Sequence, residues 1–515
     1  MSIKKKLIRN TVANYTIRFW EIIIGLILFP FIVHHIGLSA AGIWLLVSSI
    51  TGYFGLLDLG IGASLVKHVA EYHAKRDDEK LSDSINTTFF IFLGMGLIAS
   101  VGLFIVGRFF ITSFNIPQEL VEEARAITYI AAVTTLIGFP LGTFGGVLRG
   151  LQRYDLSALV GFIVSIPRVI LTVFFLLRGY GVVTLVLINT FCSMMGWLLS
   201  VYYSKKLLPF AHISPSNLNK EVTRKLLGLA GAVFFIHVCV MILFRTDQLV
   251  IGLFMTVGII TYYAAAWKVY DACSMVPGLV MSAIMPASSE LDANRDFHSL
   301  QIFLIRATRY SIALFIPFGV FGIVLAKPTL VFWMGDDFGQ YHLITQILVL
   351  HLFFNFNHHV ASQILIGMNK VKGVLYYYGI VAVLNIVLSI ILVQRIGLVG
   401  VALGTTIPFV LFEVFFVQYF LKTLKLSWKT YAKEVLLKTY PIGVCVAPLL
   451  YLLTIFYPPH NLIEVLGFGM LTFGTCLFLF YIFSLKKTEK EEFKQMVVAA
   501  RSQFGLVDSN KGGSS

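Results

Sequence analysis

The sequence predicts an all-α, polytopic membrane protein of about fourteen transmembrane helices, and three observations predict it. The chain of 515 residues is 57% hydrophobic and only 13% charged, too apolar for an ordinary soluble protein of this length. Apolar runs of the roughly 20 residues that a helix needs to cross a bilayer recur from end to end. Thirty-one of the forty Lys and Arg residues fall in alternate gaps between those runs. That is the pattern left when short cytoplasmic loops keep basic residues and translocated loops shed them. The alternation puts both termini in the cytoplasm of a multi-pass protein of the cell (inner or plasma) membrane.

The first span, near 11–34, follows Lys4, Lys5, Lys6 and Arg9. Those cations resemble a signal-peptide start, but the apolar stretch is too long, is interrupted by Arg18 and Glu21, and lacks a small-residue cleavage site. It reads as an uncleaved helix. The second span, near 41–65, runs into the basic loop of Lys67, Lys75, Arg76 and Lys80. Spans near 85–111, 124–148, 157–177 and 182–204 follow, with short, nearly uncharged or acidic loops on the opposite side. The longest inner connection, about 205–226, holds Pro209, Ser214, Pro215 and Ser216. After it come spans near 227–252, 259–286, 309–333, 343–366, 374–394, 398–421, 438–457 and 462–485.

The long connection divides the chain into two six-helix lobes, 1–212 and 213–424, followed by two further helices over 425–485 and a cytoplasmic tail over 486–515. The lobes echo one another. Leu148-Arg149-Gly150-Leu151-Gln152-Arg153 resembles Leu365-Ile366-Gly367-Met368-Asn369-Lys370, and the same offset aligns Arg178 with Arg395 and Lys205 with Lys422. Duplicated halves suit alternating access around a site near the membrane midplane.

Other classes are excluded on composition. The net charge of +14 is the sum of cytoplasmic loop charge beside anionic lipid headgroups, and no basic stripe interleaved with aromatics points to nucleic acid. Cys192, Cys239, Cys273, Cys445 and Cys476 lie in apolar spans without paired spacing, so neither a disulfide framework nor a zinc site follows. No glycine-rich loop with a Lys-Ser/Thr signature is present, so no nucleotide fuels this chain and no cofactor is called for.

Several segments resemble one family. Arg9-Asn10-Thr11, Pro30, Ile36-Gly37, Gly42-Ile43-Trp44 and Leu57-Asp58-Leu59-Gly60-Ile61-Gly62 are similar to the opening of the polysaccharide-biosynthesis (O-antigen-type) flippases of the multidrug/oligosaccharidyl-lipid/polysaccharide exporter superfamily. Asp247-Gln248-Leu249-Val250-Ile251-Gly252, Tyr262 to Lys268, and Met285-Pro286-Ala287 continue the likeness. It extends over roughly residues 8 to 485 and departs at Met255-Thr256-Val257, where members often have a glycine-rich turn. The resemblance implies a V-shaped pair of lobes around a central cavity, and movement of a lipid-linked oligosaccharide from the cytoplasmic to the outer leaflet. As partners it implies that lipid-linked cargo, membrane lipids, and a polysaccharide polymerase with other assembly proteins.

An unpaired charge at membrane depth is costly and faces a cavity or a partner. Four basic residues stand seven or more residues from either end of a span: Arg18, Arg168, Arg245 and Lys268. Asn14, Arg18, Glu21 and Gly25 form one helical stripe, so Arg18 either pairs with Glu21 or meets an anion from the cavity. Arg245 shares a face with His237, Met241 and Gln248, whereas Asp247 points nearly the opposite way and is not its intrahelical partner. Lys268 and Asp271 are spaced for a self-pair, and Tyr263, Trp267, Tyr270 and Ser274 form a stripe that either packs or stacks on sugar rings. Arg168 follows Pro167, whose kink would turn it inward. Asp58, among Gly55, Gly60 and Gly62, is a helix-end hydrogen-bonding group or a coupling carboxylate. His351, Asn355, His358 and Ser362 form a polar face better suited to a cavity lining or proton relay than to metal.

The expectation is therefore a non-enzymatic flippase for polyprenyl-pyrophosphate-linked oligosaccharide. Arg18, Arg245, Lys268, Arg168 and Asn14 are the cavity candidates, and Asp58, Asp271, Glu21 and Asp247 the coupling candidates. The rivals are a multidrug or small-cation antiporter of the same fold, and a membrane glycan polymerase. The polymerase needs outer-face catalytic acids, for which only Asp336-Asp337 is available.

Overall fold

The structure is a computed structural model and describes residues 3–214, 231–281, 284–492 and 495. It is helical, with no strand among the described residues. The helices are α1 (Ile3–Ile36), α2 (Leu38–Phe54), α3 (Ile61–Lys75), α4 (Asp78–Ile105), α5 (Val121–Gly150), α6 (Tyr154–Leu177) and α7 (Val182–Leu207). After these come α8 (Gly231–Phe254), α9 (Gly258–Met281), α10 (Ile284–Ala293), α11 (Phe297–Val324), α12 (Ala326–Met334), α13 (His342–Gly367), α14 (Val371–Ile396) and α15 (Leu398–Thr423). The last are α16 (Trp428–Tyr431), α17 (Leu437–Phe456) and α18 (Leu462–Phe483).

A helix lies at each of the fourteen predicted spans, and twelve helical segments of the described residues are long and apolar enough to cross a membrane. The two that fall outside the twelve are α9 and α13. They are 24 and 26 residues long but hold Lys268 and Asp271, and His351, Asn355, Asn357, His358 and His359. Polar side chains lower their apolarity because those helices turn toward protein as well as lipid.

The second predicted span differs from expectation. It is one helix only as far as Phe54, then a 3-10 turn over Gly55–Asp58, then a break at Leu59 (φ +50°) and Gly60 (φ +79°) before α3 begins. Gly60 accepts this left-handed backbone without cost, and the Asp58 carboxylate accepts the Gly62 N–H at 2.7 Å, satisfying a free donor at the start of α3. α3 continues away from the membrane span as an amphipathic helix whose Leu65, Val69 and Tyr72 join Leu81, Ile85, Val147 and Leu208 in a buried cluster. Buried Asn86 exchanges two hydrogen bonds with the Ser214 backbone, at 2.7 and 2.8 Å, pinning the start of the long connection to α4.

The described contacts divide the chain into two compact units. One comprises residues 1–272, 333–348 and 371–412; the other 273–332, 349–370 and 413–515. In the first, α5 packs on α4 and α7, α6 on α1 and α7, and α14 on α8, with α2 also against α8. Helix α15 approaches α14 closely through Gly400 and Gly404, where an added Cβ would collide with Leu392 and Ser389. In the second unit, α11 lies against α17 and α18. Its buried Arg309 pairs with buried Glu489, and Glu434 gathers Lys438 at 2.9 Å and Lys486 at 3.0 Å. Residues 487–492, read from sequence as the start of a tail, are thus helical and anchored by Glu489.

Candidate functional site

The first unit contains a cavity of about 370 Å³ between α8 and the 3-10 turn with the Leu59-Gly60 break that follows it. Asp58, His237, Met241 and Arg245 line it. The α8 residues recur every four positions, so one helix face presents them together, as the periodicity requires. Arg245 is exposed and makes no ion pair among the described residues. Its guanidinium lies along α2 where Gly52 leaves room: a Cβ there would stand 3.6 Å from Nε. The surrounding backbone is held by Ser49, whose hydroxyl donates to the Arg245 carbonyl at 2.8 Å, and by Tyr53 and Thr246, whose hydroxyls are 2.5 Å apart.

Asp247 points away from that cavity, as its two-residue offset from Arg245 predicts. It is 1% exposed. Tyr263 of α9 donates to its carboxylate, and Thr405 of α15 approaches both oxygens at 3.0 and 3.2 Å. Asn385 of α14 in turn donates to the Thr405 hydroxyl at 2.9 Å. No basic side chain belongs to this set, so four helices converge on a carboxylate held by neutral donors. The sequence gives little sign of Asn385 and Thr405: each is one of several polar residues in an apolar span, with Ser389 near the first and Thr406 beside the second.

The other candidates lie elsewhere. The Lys268 ammonium sits 4.8 Å from the centre of the Phe29 ring and does not line the Arg245 cavity. Phe29 stacks on Trp333, whose indole donates to the Leu26 carbonyl at 2.8 Å. Asp271 is exposed one turn beyond Lys268. Arg168 is half-buried, with its guanidinium toward the Cys192 thiol and its Nε without a partner among the described residues. Glu21 is exposed on α1. The side chains of Asn14 and Arg18 lie outside the described residues. Tyr263 and Tyr270 are buried, and Trp267 packs between Tyr270 and Phe244, so this stripe is packing rather than an open platform.

In the second unit, His358 Nδ1 lies 2.9 Å from Glu413 of α15, an acid the spacing of span ten could not reveal as its partner. His351 and Asn355 are 3.3 Å apart on the same face, and no group of ligands able to hold a metal occurs among the described residues.

At the end of the helices opposite the basic loops, the segment after α4 is tied to the end of α8. Asn115 donates from its side chain to the Leu253 carbonyl at 2.9 Å and from its backbone to Gly252 at 3.0 Å, and its carbonyl accepts from Val257 at 3.3 Å. Gly42 lies so close to the Val257 carbonyl that no side chain fits, and Thr261 donates to the Leu38 carbonyl at 2.8 Å.

The pattern that defines the polysaccharide biosynthesis protein family matches residues 7–292. Among curated proteins, the chain is 22% identical to the uncharacterized membrane protein EpsK of Bacillus subtilis, over 83% of this chain and 85% of that one. It is 21% identical to a putative O-antigen transporter of Salmonella typhi, over 75% and 89%. Its fold is similar to that of the lipid II flippase MurJ in an inward closed conformation, with a TM-score of 0.70 and 19% identity over 92% of this chain and 99% of that one. The family match covers more than half the chain and the fold agrees with it: this protein belongs to the polysaccharide biosynthesis protein family.

Proposed function

We propose that this protein is a flippase that carries a polyprenyl-pyrophosphate-linked oligosaccharide from the cytoplasmic to the outer leaflet by alternating access, for surface polysaccharide assembly. The observation that carries the reading is Arg245: an exposed guanidinium without an ion pair among the described residues, in a cavity at membrane depth. A multiply charged pyrophosphate cannot cross bare hydrocarbon. A guanidinium fork replaces part of its water shell with two directed donors. The same unneutralised cation disfavours the cationic cargo of a multidrug antiporter. The sugars travel in the aqueous cavity while the prenyl chain stays in lipid.

On this reading the basic loops are cytoplasmic, so both termini lie in the cytoplasm and the Asn115 ties on the outer face of the inner (plasma) membrane. Reporters fused after Lys80, Asn294 or Lys429 should therefore report cytoplasm, and those near Asn115, Gly335 or His460 the outside; two reversed assignments would overturn the orientation. With the outer ends tied and the Arg245 cavity nearer the basic loops, the first unit is arranged to take cargo from the cytoplasmic side. Cysteines at Asn115 and Met255, in a chain freed of its five native cysteines, should then block transport when bridged by a short reducible linker and recover on reduction. Transport that survives bridging would mean the tie is not a gate. Resetting the cycle falls to Asp247, which binds a proton or a monovalent cation among Tyr263, Asn385 and Thr405. The delivered cargo passes to a polysaccharide polymerase and other assembly proteins.

The reading is tested in a strain lacking the gene. Lipid-linked glycan should accumulate on the cytoplasmic leaflet, protected from reagents added to spheroplasts. Glycan that still reaches the outer leaflet at the normal rate would contradict it.

A further inference from the structure

A second feature of the first unit is not used by glycan transport. A groove of about 850 Å³ runs along α14, walled by Phe235 of α8 and Phe412 of α15. Its floor follows one face of α14 from Lys372 through Tyr376, Gly379 and Val383. These positions are spaced three or four residues apart and span roughly 17 Å at about 1.5 Å per residue. That is close to one leaflet of a hydrocarbon core about 30 Å thick. Tyr376 and Val383 are 72% and 62% exposed, so the groove opens sideways to lipid rather than into protein. Gly379 deepens it, since no side chain stands there and the Phe235 ring is 3.6 Å from where a Cβ would be.

The mouth carries charge. Lys372, which lines it, is exposed and makes no ion pair among the described residues. An apolar trough one leaflet deep that ends at an unneutralised ammonium group matches a lipid with an anionic head and an acyl-length tail. It is too short to house a long polyprenyl chain.

We propose that this groove is a binding site for one anionic phospholipid of the cytoplasmic leaflet, its phosphate on Lys372 and an acyl chain laid along Gly379 against Phe235. The inference rests on the cytoplasmic placement of Lys372 at the start of α14 and is independent of what the transporter carries. A bound lipid would couple the packing of α8 on α14, and so the setting of the Arg245 face, to the composition of the inner leaflet.

The test uses the purified full chain, equilibrated with equal amounts of phosphatidylglycerol and phosphatidylcholine of matched chains, with retained lipid counted by native mass spectrometry. Wild type should retain phosphatidylglycerol over phosphatidylcholine by about 5-fold, the worth of one basic residue at an anionic membrane surface. Lys372→Glu should abolish that preference. Gly379→Leu, whose side chain enters the groove without a backbone clash, should cut retention of both lipids. Both variants alter lipid-exposed or loosely contacted positions, and an unchanged melting temperature in detergent will confirm that they fold. Equal retention of the two lipids by wild type, or undiminished retention by folded Gly379→Leu, would overturn the proposal. So would displacement of phosphatidylglycerol by a polyprenyl phosphate at lower concentration, which would make the groove a site for the cargo's tail.

Discussion

Arg245→Ala is expected to accumulate in the membrane at near-normal levels and to abolish glycan export. Two effects compete in such a substitution. Removing one partner of a buried ion pair leaves an uncompensated charge, costs about 3–5 kcal/mol, and would empty the membrane of folded protein. Arg245 has no such partner among the described residues and is exposed to the cavity, so its removal should change stability by no more than about 0.5 kcal/mol. The cargo, in contrast, loses a charge-assisted contact in a confined site, worth about 2 kcal/mol or more, which is at least about 30-fold in rate. Arg245→Lys keeps the charge but not the planar fork and should recover only part of the activity. Quantitative blotting of membranes beside surface glycan measures both arms. A folded Arg245→Ala protein that exports normally would remove anion binding from this cavity.

Asp247→Asn is expected to have the second largest effect on transport, with stability unchanged or raised. A carboxylate 1% exposed, held only by neutral donors, is costly to keep ionised at membrane depth. An amide of the same shape still accepts from Tyr263 and Thr405 without that cost, so the variant should melt at or above the wild-type temperature. It cannot bind a proton or cation as a carboxylate does, so transport should lose its dependence on the imposed gradient. Since moving one charge across 100 mV is worth about 2.3 kcal/mol, the driven rate should fall by roughly 50-fold. Thr405→Ala removes one donor and keeps the acid, and should weaken coupling only in part. Gradient-driven uptake in Asp247→Asn equal to wild type would place coupling elsewhere, with the His358–Glu413 pair the next group to test.

What the sequence reveals and what it hides follow from the range of each signal. Loop charge and span length are local sums, so the order of the helices was readable. The opposed directions of Arg245 and Asp247 were readable because a two-residue offset on a helix is close to a half-turn. The break at Leu59 and Gly60 was not, because hydropathy averages over the backbone angles that end α2; the glycines of Leu57-Asp58-Leu59-Gly60-Ile61-Gly62 were its only sign. Partners supplied by distant spans were also hidden. Nothing near Asp247 in the chain announces Asn385 or Thr405, more than 100 residues away, and nothing near His358 announces Glu413. Periodicity likewise does not tell which side of a helix meets protein: the stripe of Tyr263 and Tyr270 reads more readily as packing or lipid-facing than as a sugar platform, and their burial decides for packing.

The most direct measurement of the central claim is made with purified protein in liposomes that contain a polyprenyl-pyrophosphate oligosaccharide. The fraction of sugar reachable from outside by a membrane-impermeant lectin is followed after a cation gradient is imposed. Transfer of the sugar between leaflets by wild type, and its absence with Arg245→Ala, is the predicted result. Wild-type protein that leaves the sugar in its original leaflet while expelling a cationic dye under the same gradient would contradict the account.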